Sequence, residues 1–156
     1  MQNTNKIFSD IIIAGNGLTS QILSLALINT LGENITINAI DRKEGERDFP
    51  NYVRSISLSL SSVNILKAIG IWDKISPKCF PVERIRVTHQ SNNQTDKGYL
   101  EFDSRIDDQI ISYILDEFDL RKLLSQELKK KKNYNLIYDT INSIKYIDNY
   151  AILRTD

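Results

Sequence analysis

At 156 residues, with 41% hydrophobic and 26% charged side chains, the chain has the balance of a globular domain able to bury a core. Lysine plus arginine and aspartate plus glutamate each number 20, so no net field draws in nucleic acid or an anionic membrane. A single cysteine, Cys79, excludes an intrachain disulfide and a cysteine-rich metal site, and fits a reducing compartment.

Met1 to Asp10 is polar and lacks the apolar stretch of a signal peptide. The most apolar window, Ile22 to Ile28, is far too short to span a bilayer. Asp10-Ile11-Ile12-Ile13-Ala14 is a short continuous apolar run, which suits a parallel strand covered on both faces. It ends in Gly15-Asn16-Gly17. A helical pattern follows, with Leu18, Ile22, Leu25, Ala26 and Ile28 near one face, and Gly32 stops it. Asn34 to Ile40 reads as a second strand ending at Asp41. The order is that of a βαβ unit.

Lys43 to Tyr52 is charged and broken by Gly45 and Pro50, so it reads as a loop. Ser57 to Ser62 leads into a helix with Ser61 or Ser62 as its cap. Val63, Leu66 and Ile69 form its apolar stripe, Gly70 ends it, and Ile71 and Trp72 pack back onto the core. Arg84 to Thr88 alternates and predicts a half-exposed strand. Ser91 to Gly98 is a polar turn region, and Gly98 to Phe102 pairs back as a hairpin. Asp116 to Lys132 predicts a helix. Asp116 caps it, Asp119 follows, and four lysines, from Lys129 to Lys132, complement the dipole at its far end. Asn135 to Tyr138, Ile141 to Ile147 and Tyr150 to Arg154 are predicted strands, the last two joined at Asp148-Asn149. The fold class is therefore α/β: a Rossmann-like βαβ unit with a parallel sheet and an antiparallel hairpin or meander insertion, in one domain over residues 1–156.

The chemistry lies in Gly15-Asn16-Gly17-Leu18-Thr19-Ser20. In a dinucleotide fold the first glycine permits the tight strand-to-helix turn, and the second lets backbone approach a pyrophosphate. The third lets helix and strand pack closely. Ser20 takes that third place and is small enough to keep the packing. The helix N-terminus offers amide N–H groups to a pyrophosphate. Asp41, at the end of the next strand, can accept both hydroxyls of a ribose and would repel a 2′-phosphate, which argues against NADP. The turn and the acid by themselves allow an FAD or an NAD site.

Together with Arg54-Ser55-Ile56-Ser57-Leu58-Ser59 and Ala68-Ile69-Gly70-Ile71-Trp72, these residues resemble a known family. The chain is similar to the N-terminal part of the FAD-dependent hydroxylases of ubiquinone biosynthesis, relatives of the aromatic-ring flavoprotein monooxygenases. Those enzymes carry an Arg-x-x-x-Leu-Ser segment after the ribose-binding acid and a helix ending Leu-Gly-Val-Trp. Ile85-Arg86-Val87-Thr88, Tyr113-Ile114-Leu115 and Asp119 to Leu124 continue the same order.

The resemblance implies FAD as cofactor and NAD(P)H as reductant. Gly15, Gly17 and Ser20 would line the pyrophosphate turn, and Asp41 would hold the adenosine ribose. Arg42 would lie on the adenine side. Arg54 would reach the FAD phosphates or the flavin edge, and Arg121 would approach from the long helix. Oxygen from O₂ would go to the ring of a polyprenyl phenol. The flavin carries that chemistry, so no catalytic side chain, triad or metal site is assigned. The only histidine, His89, reads as structural or exposed.

Family members are well over twice as long, and their later part carries a Gly-Asp motif and most of the substrate cavity. The chain therefore reads as truncated. Its expected partners are the cofactor and a second chain supplying the missing C-terminal half, or other ubiquinone-biosynthesis proteins. Nucleic acid is not expected. The expected location is cytoplasmic, at most peripheral to the inner membrane. Two alternatives are a non-catalytic dinucleotide-binding remnant and the NAD-binding domain of another oxidoreductase.

Overall fold

The computed structural model describes residues 6–42, 54–88, 99–107 and 109–156. The loop expected over Lys43 to Tyr52, the turn over Ser91 to Gly98 and His89 lie outside them. The described chain forms two compact units. One contains the residues up to Arg42 together with Arg121–Asp156, the other those from Arg54 to Leu120.

The first unit is the βαβ core. Strand β1 (Ile11–Ala14) leads through the glycine turn into helix α1 (Leu18–Leu31). Strand β2 (Ile37–Asp41) then lies parallel to β1, with Ile11 opposite Ile37 and Ala14 opposite Ile40. Strand β8 (Tyr134–Tyr138) adds to the other side of β2, again parallel, giving the order β1-β2-β8. The central position of β2 explains its burial. Ile37, Asn38, Ala39 and Ile40 are all buried, as expected of a strand covered on both faces. Buried Asn38 is satisfied from the neighbouring strand, where Asn135 Nδ2 donates to its Oδ1 at 3.0 Å.

Two clamps hold this sheet. The Asp10 carboxylate accepts from the Thr36 N–H at 2.7 Å and from its hydroxyl at 2.8 Å, tying the starts of β1 and β2 together. Buried Asn133 donates from Nδ2 to the carbonyls of Ile35 at 2.8 Å and Gly32 at 3.3 Å. That pins the connection between α1 and β2. The second strand begins three residues later than the sequence indicated, because Gly32–Asn34 forms a 3₁₀ turn after α1. Strands β9 (Ile141–Ile147) and β10 (Tyr150–Thr155) form the expected antiparallel hairpin, with Asp148 at φ 46° in its turn.

The second unit is built on an antiparallel sheet of order β3-β7-β4, from Ser55–Ser59, Ser112–Asp116 and Phe80–Val82. Helices α2 (Leu60–Ala68) and α3 (Trp72–Ile75) supply its core with Val63, Leu66 and Ile75, and the turn between them adds Ile69 and Ile71, joined by Leu58 and Leu115 from the sheet. The Trp72 ring meets Tyr113 edge to face, with centroids 5.0 Å apart. The cap of α2 differs from expectation. It is Ser59, whose Oγ accepts from the Ser62 N–H at 3.2 Å, because the chain leaves β3 at Ser59 and Ser61 and Ser62 are already helical.

Strands β5 (Arg84–Thr88) and β6 (Tyr99–Asp103) pair as predicted, but β5 is exposed along its whole length rather than on one face. One face carries ion pairs, Arg84 with Asp103 at 3.1 Å and Arg86 with Glu101 at 2.6 Å. The Arg105 side chain, hydrogen-bonded to Asp103, holds that carboxyl well below the usual range. The opposite face presents Ile85, Val87, Leu100 and Phe102, all exposed. A short helix α4 (Ser104–Asp107) follows. Helix α5 (Glu117–Lys129) carries the chain back to the first unit, and Asp116 caps it through the Phe118 N–H at 2.9 Å. Leu120, Leu124 and Leu128 form its buried stripe.

Ser59→Ala should therefore lower the stability to denaturant by about 1 kcal/mol, whereas Ser61→Ala should stay within about 0.5 kcal/mol of the parent. The Asp10 clamp predicts a pH effect. Hydrogen bonds from the Thr36 N–H and hydroxyl hold its native pKa below the ordinary aspartate value of about 3.9. The stability it contributes is thus fully present above that value and is lost as the pH falls through the lower native one. Urea midpoints of the parent and of Asp10→Asn should differ near neutral pH and converge below about pH 4. A constant gap down to the most acidic measurable pH would contradict this.

Candidate functional site

The turn after β1 is formed by backbone. Gly15 stands at φ +106°, a conformation that side-chain-bearing residues rarely adopt. Its N–H donates to the Ile40 carbonyl at 2.7 Å, carrying the β1–β2 pairing one residue beyond β1. The next N–H, of Asn16, donates to Asp41 Oδ2 at 2.9 Å. The carboxylate at the end of β2 is thereby seated directly against the glycine turn. Its other oxygen accepts from the Arg42 N–H at 2.8 Å.

Gly17 is the N-cap of α1, in extended conformation and without a side-chain cap. A methyl group built on Gly17 would meet nothing within 4 Å, so the approach to the turn is open there. The first intrahelical bond runs from the Gln21 N–H to the Gly17 carbonyl at 3.0 Å. The N–H groups of Leu18, Thr19 and Ser20 precede it and have no intrahelical acceptor. No acidic side chain lies in that first turn. The helix end combines amide donors, the positive end of the dipole and open space, which is the chemistry of an anion site.

Ser20 holds the third motif position. Its Oγ would lie 3.7 Å from a Cβ on Gly15, an ordinary contact, so it is the backbone angle at Gly15 that calls for glycine there. The Ser20 carbonyl accepts from the Ser24 hydroxyl at 2.8 Å.

Gly15, Gly17, Ser20, Asp41 and Arg42 are thus gathered around one turn in the first unit. Arg121 lies half-buried on α5 in the same unit. Arg54 belongs to the second unit. Its side chain is 74% exposed and lies 3.4 Å from the Glu117 carboxylate, while its carbonyl accepts from the Glu117 N–H at 2.9 Å. Among the described residues no cluster of histidine, cysteine, aspartate or glutamate could hold a metal ion.

Two residues carry more of this site than their sequence pattern indicated. Asn16 supplies the N–H that holds Asp41, and its Oδ1 accepts from Gln21 Nε2 at 3.1 Å. The buried stripe of α1 is Gln21, Ser24, Leu25 and Ile28, while Leu18, Ile22 and Ala26 are half-buried. The signal was the i, i+3, i+4, i+7 spacing of those four residues, which is helical whatever their polarity.

Comparison with solved structures places this geometry. The p-nitrophenol 4-monooxygenase PnpA from Pseudomonas putida DLL-E4 superposes with a TM-score of 0.74 at 13% identity, over 95% of this chain and 36% of that one. The flavin-dependent monooxygenase PieE, solved with FAD and substrate, gives 0.73 at 16% identity, over 97% of this chain and 27% of that one. The fold is that of the flavin-dependent monooxygenases. The Diels-Alderase PyrE3 of pyrroindomycin biosynthesis shares it too, with a TM-score of 0.62 at 13% identity, over 93% of this chain and 28% of that one. The chain therefore spans about a third of the length of these neighbours. No protein-family model and no curated protein sequence matches it.

Gly15→Ala should cost roughly 1–3 kcal/mol of stability through strain at φ +106°. Thermal unfolding measures this, and a variant as stable as the parent would show that the turn relaxes without cost.

Proposed function

We propose that the chain is the FAD-binding portion of a flavin-dependent monooxygenase. The observation that carries this is the 2.9 Å bond from the Asn16 N–H to Asp41, which brings a ribose-type acceptor to the mouth of an uncapped helix N-terminus. FAD fits the residues present. Gly17 leaves room for a diphosphate beside the first amides of α1, and Asp41 accepts from the ribose hydroxyls of the adenosine half. A carboxylate at that place disfavours a 2′-phosphate by charge repulsion. Arg42, whose N–H donates to Asp41, would lie on the adenine side. Arg121, in the same unit, is a permanent cation suited to the cofactor.

When bound, FAD supplies electron transfer from NAD(P)H and activation of O₂. This chain's residues bind and orient its ADP half. The substrate we assign is a polyprenyl phenol of ubiquinone biosynthesis, by the family resemblance alone that the Arg54–Ser59 and Ala68–Trp72 segments carry. Such a substrate dissolves in the membrane, which supports a cytoplasmic location with peripheral contact at the inner membrane. No helix among the described residues is long and apolar enough to cross one.

Complete turnover, on this reading, needs the rest of the architecture, on the same polypeptide or on a second chain. Two observations support that. The neighbours are about three times as long. Among the described residues, β1 pairs with β2 alone, so one edge of the parallel sheet is open to a further strand. The same span favours a second reading, a module that binds a dinucleotide without turnover.

The absorbance spectrum of the purified chain, before and after FAD is added and excess removed, tests the proposal. Retained flavin is expected, with loss in Asp41→Ala. Gly17→Ala should weaken FAD by about tenfold or more, because its methyl enters the ligand's space, with only the modest fall in unfolding temperature that alanine brings as a poorer N-cap of α1. Binding of NAD⁺ with no retention of FAD would move the chain to the NAD-dependent oxidoreductases.

A further inference from the structure

Gln21 is 1% exposed and lies in the same buried stripe as Leu25 and Ile28. A polar side chain there carries a desolvation cost unless its hydrogen bonds are made. Gln21 makes only part of them. Its Nε2 donates to Asn16 Oδ1 at 3.1 Å, while its Oε1 is buried with no hydrogen-bond partner. An apolar side chain of similar length would fill this place without an orphaned acceptor. What distinguishes glutamine is the single bond to Asn16.

That bond reaches the site. Asn16 is held on both sides of its Cα, by Gln21 at the side chain and by Asp41 at the backbone N–H. The three residues form a relay from the core of α1, through the turn, to the carboxylate at the end of β2. Gln21 fixes the Asn16 side chain, and the Asn16 N–H fixes Asp41.

We propose that Gln21 is a positioning residue of the dinucleotide site: by anchoring the Asn16 side chain it holds the Asn16 N–H on Asp41, and so keeps the carboxylate in one orientation for the ribose diol. The inference rests on the dinucleotide reading above. It differs from that reading in assigning a ribose-specific effect to a side chain that touches no ligand.

The test uses the whole chain, titrated by calorimetry with ADP and with 2′,3′-dideoxy-ADP, which keeps the diphosphate and lacks both hydroxyls. Gln21→Met keeps the length of the side chain and removes the donor. It should weaken ADP by about tenfold and change dideoxy-ADP by less than about twofold. Asn16→Ala, which removes the acceptor and leaves the buried Gln21 amide unpaired, should show the same selective loss together with a lower unfolding temperature. In an Asp41→Ala background, Gln21→Met should have no further effect on ADP. Equal losses for the two ligands, or an undiminished effect without Asp41, would make Gln21 merely structural and overturn the inference alone. If the parent chain binds neither nucleotide, the dinucleotide reading fails, and this inference with it.

Discussion

The site depends on the register of β1 against β2. Parallel pairing with Ala14 opposite Ile40 brings the ends of both strands to one level, so Gly15 and Asp41 meet. The Gly15 N–H on the Ile40 carbonyl and the Asn16 N–H on the Asp41 carboxylate are the last two links of that ladder. A slip of one residue would turn every side chain of β2 to the opposite face and carry Asp41 away from the turn. The Asp10–Thr36 clamp at the start of the strands and the Asn133 bonds at the α1–β2 connection oppose such a slip. On the other side of β2, the bond from Asn135 to Asn38 fixes the register of β2 against β8.

Around that ladder the motif residues divide their work. Gly15 answers a backbone angle, Gly17 leaves space, and Ser20 tolerates the close approach of the turn. These are different physical demands, although the sequence writes two of them with the same letter. The helix end they create is electropositive without any basic side chain, because its charge comes from the dipole and the leading amides. No acid lies in the first turn of α1 itself, while the Asp41 carboxylate stands against the glycine turn through the Asn16 N–H.

The second unit obeys different rules. Its sheet is antiparallel, with an alternating pattern in which Ile56, Leu58, Tyr113 and Leu115 share one face and Ser55, Ser57 and Ser59 the other. Fold likeness does not select a reaction on such a scaffold, since the neighbours include both monooxygenases and a Diels-Alderase. The functional argument therefore rests on the turn and its acid, where specific groups are held at measured distances.

Local chemistry was legible in the sequence. The Ile11–Ile13 run, the glycine turn, the stop at Gly32, the Asp116 cap and the two hairpins follow from propensity, period and turn residues acting over a few positions. The pairing of the turn with Asp41 was legible too, because the βαβ order leaves few ways for consecutive parallel strands to lie. Other features were decided only by tertiary structure. The Ser59 cap depended on where β3 lets the chain go. β7 was not predicted as a strand, yet it lies at the centre of an antiparallel sheet whose partners come from distant segments. Gln21 looks like a surface residue until packing places it beside Leu25 and Ile28, and only then does its bond to Asn16 acquire meaning. Composition and period record what a residue prefers, but burial and hydrogen-bond partners are settled when remote segments meet.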